Sequence, residues 1–394
     1  MSPHQNRKKR QIKPIYIQKK TNELDPNQQE KWLHRIALTM IPKVGGKTAR
    51  NLVSYCGGID AIFKSSKKAL AKVPGVGEKI IKTILDKTTF QDAEKELKFI
   101  EENNLSIYFY TDQDFPSRLK ECEDGPILFY YKGKKVDFNQ KRVLSIVGTR
   151  NATEYGKEIT NKIVKDLAPY DVLIVSGLAY GIDIAAHKAA LEAGLKTIAV
   201  LAHGLDRVYP AQHKKIAKEM TKEGGYLSEF KSYKEVERGN FPSRNRIIAG
   251  LSDATLVVET AKTGGSMISA YQANDYKRTV LAVPNRVGEK YGEGCNLLIK
   301  EKIATLIESA EDLTKELQWN KSNSNIPKQR SLFIDLSPEE QKIKDLFKES
   351  NILHIEEITQ KTNLGYSTTA ALILNLEIKG LLKSLPGNQI KLII

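Results

Sequence analysis

The chain is poor in the residues that staple small folds or hold metals. Its three cysteines, Cys56, Cys122 and Cys295, lie far apart and form no CxxC pair, which argues against a disulfide framework and a thiolate zinc site. Its six histidines are scattered, so no metal and no other cofactor is expected. Long apolar runs are lacking too: nothing approaches the roughly 18 residues of a spanning helix, and the basic N-terminus is not followed by an apolar signal segment. The expectation is a cytoplasmic protein with no membrane contact. A Walker-A string is missing, which removes the usual signature of ATP-driven transport.

What is present is a globular composition, 40% hydrophobic and 28% charged over 394 residues, enough for a substantial core and two to four domains. The formal net charge of +15 points to a polyanionic partner. That charge is uneven. Residues 1–20 carry seven Lys and Arg and no acid, and residues 1–22 read as a basic disordered tail.

Residues 23–104 read as helical, with two related turns, Ile41-Pro-Lys-Val-Gly-Gly-Lys47 and Val73-Pro-Gly-Val-Gly-Glu-Lys79. Both fit helix-hairpin-helix (SAM-like) units, whose paired glycines either hold a phosphate at a helix start or simply turn the chain between packed helices. Over residues 105–319 the period changes. Val143–Val147, Val172–Val175, Thr197–Leu201, Ala254–Val258 and Val280–Val283 read as buried strands, separated by helical segments near 153–168, 181–193, 211–222, 241–251 and 265–277. This alternation predicts an α/β fold, an extended Rossmann-like, mostly parallel sheet with helices on both faces. Residues 320–334 have linker composition. Residues 335–394 fit a C-terminal winged helix, but with seven Lys against eight Asp and Glu they make a poor electrostatic footprint for a DNA reader.

Ligands of parallel sheets sit beyond the carboxyl ends of the strands, and four loops there stand out. Gly148-Thr149-Arg150 follows one strand; Ser176-Gly-Leu-Ala-Tyr-Gly181-Ile-Asp183 follows the next and leads to His187, which reads as a packed, hydrogen-bonded core histidine. Arg238-Gly-Asn-Phe241-Pro-Ser-Arg244-Asn245-Arg246 places three arginines near an aromatic ring at a helix start, as expected where phosphates are neutralised and a base stacks. Arg246 reads as a structural partner of Asp253 or Glu259. Thr263-Gly264-Gly265-Ser266-Met267 is a phosphate-holding turn into a helix, with Arg278 at that helix's far end.

Taken together, Ser145-Ile-Val-Gly-Thr-Arg150, Ser176–Asp183 with His187, Tyr209-Pro210, Ser228-Glu-Phe230 and Phe241-Pro-Ser-Arg-Asn-Arg-Ile-Ile-Ala-Gly-Leu-Ser252 resemble the DprA/Smf (DNA-processing A) family over residues 105–310. The resemblance implies a homodimer that binds single-stranded DNA and delivers it to the RecA recombinase during uptake of transforming DNA. It implies no catalysis. Carried over by position, the DNA-binding residues are Gly148, Thr149, Arg150, Arg238, Phe241, Arg244, Asn245, Gly264, Gly265, Ser266, Met267 and Arg278. Two strings depart from the family pattern: Thr-Gly-Gly-Ser stands for Ser-Gly-Ser, and Val283-Pro-Asn285 for Val-Pro-Gly, so the loop after that strand is left out of the site.

Enzymatic alternatives fare worse. A dinucleotide enzyme needs GxGxxG after its first strand, where this chain has Gly148-Thr-Arg150. A nucleotide phosphoribohydrolase of the lysine-decarboxylase-like kind needs a carboxylate just after the glycine turn, and Gly264–Ala270 contains none. Asp183, Glu229 and Glu259, each separated by a strand, read as helix caps or arginine partners rather than as a Mg²⁺ cluster.

Overall fold

The computed structural model describes residues 26–321 and 336–393, apart from 349 and 386. The basic tail and nearly all of the linker expected from the sequence lie outside the described residues. The chain divides into two compact units, Met1–Ile326 and Pro327–Ile394.

The first unit is built on a nine-stranded sheet. Its strands are β1 Ser106–Phe109, β2 Leu128–Gly133, β3 Val143–Val147, β4 Leu173–Ser176, β5 Thr197–Val200, β6 Gly225–Ser228, β7 Ala254–Val257, β8 Thr279–Ala282 and β9 Thr305–Leu306. The spatial order is β1-β2-β6-β5-β4-β3-β7-β8-β9. All pairings from β6 through β9 are parallel, whereas β2 joins β1 and β6 antiparallel.

Period-two alternation sorts each buried strand between two apolar layers. Leu144, Ile146, Ile174, Leu256 and Leu281 pack with Ile163, Val164, Ala186 and Ala189 of the helices Glu154–Asp166 and Ile182–Glu192. Val143, Val147, Val175 and Val257 pack with Ile247, Ile248, Ala270 and Ala273 of the helices Asn240–Leu251 and Gly265–Asp275 on the other face. Helices thus cover both faces, as the strand composition predicts.

Residues 26–104 pack against the antiparallel end of this sheet. Leu52, Ile84, Leu97 and Ile100 share one core with Leu128, Tyr130 and Tyr226. Buried Arg35 bonds both oxygens of Asp112, at 3.0 and 2.8 Å, and Glu96 accepts from the Ser232 N–H at 3.0 Å. Of the two glycine turns, the first is taken up by protein. A Cβ on Gly46 would strike the Gly125 carbonyl, and Arg50 donates to the Glu123 carbonyl at 2.7 Å. This turn acts as a packing element, and Asn51 ties it to the second turn through the Pro74 carbonyl, at 3.2 Å.

In the second unit a capping box opens the helix Pro338–Leu346: Ser337 Oγ accepts from Glu340 N at 3.1 Å, and the Glu340 carboxylate accepts from Ser337 N at 2.8 Å. The helices Ile355–Thr362 and Tyr366–Ile378 follow, with a three-stranded antiparallel sheet of β10 Ile352–His354, β11 Leu382–Leu385 and β12 Gln389–Leu392. This is a winged helix around Ile343, Ile358, Ile373 and Leu376.

Candidate nucleic-acid interface

Strand order reverses at β3: β4, β5 and β6 extend to one side of it and β7, β8 and β9 to the other. The loops leaving β3 and β7 at their carboxyl ends must diverge there, which opens a crevice at the topological switch point. Two contacts brace it. Thr149 N–H donates to the Glu259 carbonyl at 2.6 Å, and the Glu259 carboxylate accepts from Thr153 N at 2.9 Å and Thr153 Oγ1 at 2.5 Å. Thr153 in turn caps the helix Glu154–Asp166.

Residues from five segments line this crevice, among them Gly148, Thr149, Arg150, Ala179, Phe241, Arg244, Asn245, Gly264, Gly265 and Ser266. Phe241, Arg244, Asn245 and Ile248 stand on one face of the helix Asn240–Leu251 because their spacing follows the helical repeat. The opposite face carries Arg246, which pairs with Glu229 and the Asp124 carbonyl. The expected partners of Arg246 are occupied elsewhere: Asp253 by Arg118 at 2.6 Å, and Glu259 by Thr153.

Arg150 is exposed, and its guanidinium carbon lies 4.9 Å from the Phe241 ring centroid. Among the described residues no carboxylate pairs with it. The helix Gly265–Asp275 begins beside this pair, with the Gly265 and Ser266 N–H groups ahead of its first backbone bond, Met267 N to the Gly264 carbonyl at 3.1 Å, and its dipole positive at that end. Gly264 precedes it in extended conformation, Ser266 Oγ donates to Thr260 Oγ1 at 2.7 Å, and Asn245 Nδ2 reaches the Gly265 carbonyl at 3.4 Å. An exposed guanidinium, a half-buried ring and a helix N-terminus are the groups needed to hold a phosphate and stack a base.

Three of the expected residues are turned away from solvent, and a fourth lies outside the crevice. Arg244 is only 4% exposed; its Nη1 donates to the Val200 carbonyl at 2.6 Å, and burial pushes its pKa down to about 10, which leaves it cationic at neutral pH. Met267 is not among the lining residues: its N–H donates to the Gly264 carbonyl at 3.1 Å and its side chain packs in the core. Arg278 is not brought to the crevice. It immediately precedes β8, at the amino end of the sheet, and bonds the Arg118 carbonyl at 3.0 Å and Glu121 at 2.7 Å. Arg238 is exposed in the loop before Asn240 and is not among the lining residues.

Sequence reasoning missed Tyr291, which lines the crevice and accepts a hydrogen bond from Asn151 Nδ2 at 2.9 Å. It lies in the loop after β8, set aside for its departure from the family string; the rule that parallel-sheet ligands meet strand ends would have kept it. His187 is fully buried, bonds Thr197 Oγ1 at 2.7 Å and has its pKa pushed down to about 3 by burial, as befits a core histidine. Asp183 accepts from Gly177 N at 3.1 Å and Ala179 N at 3.4 Å, and Glu229 holds Arg246; burial raises the pKa of both carboxyls.

Comparison with known proteins adds three family matches: DNA recombination-mediator protein A over residues 106–318, a SAM-like helix-hairpin-helix tandem over 36–88, and the DprA winged helix domain over 328–388. Protein Smf of Synechocystis sp. is 36% identical over 276 residues, 69% of each chain. The X-ray structure of DNA processing protein A from Streptococcus pneumoniae aligns with a TM-score of 0.63 at 27% identity, covering 74% of this chain and 98% of that one. The Helicobacter pylori protein, described for its single-stranded DNA binding mode, aligns with a TM-score of 0.50 at 29% identity over 55% of this chain and 97% of its own. A match spanning the whole sheet, flanked by both accessory modules, makes this chain a member of the DNA recombination-mediator protein A family, whose proteins carry the names DprA and Smf.

Proposed function

We propose that this protein binds single-stranded DNA in the crevice above β3 and β7 and passes the strand to the RecA recombinase, acting as a homodimer and without catalysing a reaction. One observation carries the binding step: the unpaired guanidinium of Arg150 lies over the Phe241 ring at 4.9 Å, beside the start of the helix Gly265–Asp275. A phosphate gains a charge-assisted bond from Arg150 and N–H groups from the helix start, while a base gains a stacking surface. The family relative from H. pylori, described as binding single-stranded DNA, supports the same ligand class. In this reading Arg244 shapes the floor rather than gripping phosphate, and Arg238 meets the strand outside the crevice.

The carboxylates near the site have internal work as capping or ion-pair partners, which favours a binder over an enzyme. Two copies of the crevice on one dimer would hold a longer strand by avidity, so affinity rises steeply with length. The test is fluorescence anisotropy with oligo(dT). Arg150→Ala and Phe241→Ala should each weaken binding about five- to fiftyfold, the loss of one stack or one charge-assisted contact, with unchanged melting temperature. Wild-type affinity in both variants would sink the reading. For the transfer step, RecA filament growth on a strand pre-coated with single-strand binding protein should quicken with the wild type and not with Phe241→Ala.

A further inference from the structure

The helix Phe90–Glu102 carries two faces written with the same spacing. Ala93, Leu97 and Ile100, at i, i+4 and i+7, are buried and join the core shared with the sheet. Asp92, Glu96 and Phe99 repeat that spacing one residue earlier, and they meet three consecutive residues of the loop leaving β6. Asp92 pairs with Lys231 at 3.1 Å; Glu96 accepts from Ser232 N at 3.0 Å and from Ser232 Oγ at 2.5 Å; the Phe99 ring lies edge-on to Tyr233 at 5.4 Å between centroids.

Glu96 is the member that packing alone does not explain. It is 4% exposed, and burying a carboxylate costs more than burying an apolar side chain of similar size. Leu97 and Ile100 already close the core beside it, so adhesion of the helical domain does not require an acid here. What the carboxylate adds is direction, because it holds one backbone N–H and one hydroxyl of the loop at defined positions.

The next residue shows that the loop is held against its own preference. Tyr233 has a φ of +60°, a left-handed backbone that a bulky side chain keeps only where its surroundings impose it. Its N–H donates to Asp206 Oδ1 at 2.7 Å, and a Cβ on Gly204 would strike the Lys231 carbonyl, so the loop after β5 closes on the other side. Farther along, Asn240 Nδ2 donates to the Ala202 carbonyl at 3.1 Å and fixes the start of the helix Asn240–Leu251. Lys231–Tyr233 and Asn240 are therefore two moorings, and the span between them carries the exposed Arg238.

We propose that Glu96 is a positioning residue for strand binding: by mooring Ser232, the helical domain sets where Arg238 meets the phosphate backbone. The inference rests on the single-strand reading above and extends it to a domain that contributes no residue to the crevice. Releasing the mooring lets Arg238 leave its place, and apparent affinity falls by the fraction of molecules that keep it there. The loss is bounded by what Arg238 itself contributes.

The experiment is a double-mutant cycle on the full chain, read by fluorescence anisotropy with oligo(dT). Arg238→Ala should weaken binding about five- to tenfold, the loss of one phosphate contact, and Glu96→Ala about fivefold. In the double variant the penalties should not multiply: affinity should equal that of Arg238→Ala alone. Glu96→Gln, which keeps an acceptor for the Ser232 N–H, should return to within about twofold of wild type. Limited trypsin digestion, with fragments identified by mass spectrometry, should cut Glu96→Ala faster than wild type after Lys234 and Arg238. If Glu96→Ala does not fold, Ser232→Ala, which removes only the hydroxyl bond, takes its place in the cycle with an expected loss of about two- to threefold. Wild-type affinity in Glu96→Ala, whatever its melting temperature, would reduce the contact to packing and overturn the inference. Penalties that multiply in the double variant, or wild-type affinity in Arg238→Ala, would overturn it too. Each of these results leaves the crevice standing where Phe241→Ala still weakens binding, whereas failure of the wild-type chain to bind oligo(dT) overturns the single-strand reading itself.

Discussion

Arg150 and Arg244 reach the same crevice and are chemically identical, yet burial gives them different tasks. Arg150 is exposed with no acid paired to it among the described residues, so its truncation should change stability by no more than about 0.5 kcal/mol while weakening oligonucleotide binding. Arg244 is buried between the Val200 carbonyl and Asp183. Its removal leaves the Val200 carbonyl without that donor, while Asp183 keeps the Gly177 and Ala179 N–H groups, and Arg244→Ala should cost about 1–3 kcal/mol. Urea titrations of the two variants, run beside binding curves, check the contrast: Arg244→Ala should lose stability first and affinity as a consequence. His187 supplies a second prediction. Its folded pKa, about 3, lies below the ordinary histidine value near 6.5, so the unfolded chain takes up a proton that the folded one refuses. Stability from this group is complete above about pH 6.5 and is lost as pH falls toward 3, by up to about 1.4 kcal/mol per unit. Asp183 and Glu229, with raised pKa values, tilt the profile the other way, since their contribution is lost as pH rises. Comparing wild type with His187→Gln cancels those terms, and the variant should show the shallower acid loss between pH 6.5 and 5.

At the scale of elements, the helix Gly265–Asp275 separates structural from binding demands. A Cβ on Gly265 meets nothing within 4 Å and the residue is exposed, so a side chain fits there. Gly265→Asp would place a carboxylate at the positive end of the helix, stabilising the fold by about 0.3–1 kcal/mol while repelling an incoming phosphate. A melting temperature at or above wild type with at least tenfold weaker oligo(dT) binding is the expected pair of results; retained affinity would move the phosphate site off this helix. The same helix shows what the sequence discloses and what it does not. β3, β4, β5, β7 and β8 stand out as runs rich in Val, Ile and Leu because both faces are buried. β1, β2 and β6 do not: Ser106–Phe109, Leu128–Gly133 and Gly225–Ser228 mix aromatics with Ser, Gly and Lys, and it is their antiparallel pairing that identifies them. In the site, Met267 and Arg278 share a helical neighbourhood with Gly265 in sequence. The turn of the helix buries one, and its length of about 16 Å carries the other to the far end of the sheet.

For the whole molecule, charge and module boundaries decide which parts can contribute to affinity. Residues 1–20 hold seven of the positive charges without an acid, whereas residues 335–394 balance seven Lys against eight Asp and Glu. A single-strand contact releases about 0.7 counterion per phosphate neutralised, so the slope of log affinity against log salt counts these contacts. Removal of residues 1–22 should flatten that slope by up to about 5 if every tail cation meets a phosphate, and should leave the Phe241→Ala penalty intact because stacking does not depend on counterions. Removal of residues 335–394, a separate compact unit with its own core, should leave both slope and affinity for oligo(dT) near wild type. Equal-length single and double strands titrated across a salt series, with each truncation, make the comparison complete. A clear preference for duplex that vanishes with residues 335–394 would transfer the binding role to the winged helix, and with it the explanation of why an exposed arginine lies over an aromatic ring at the mouth of the sheet.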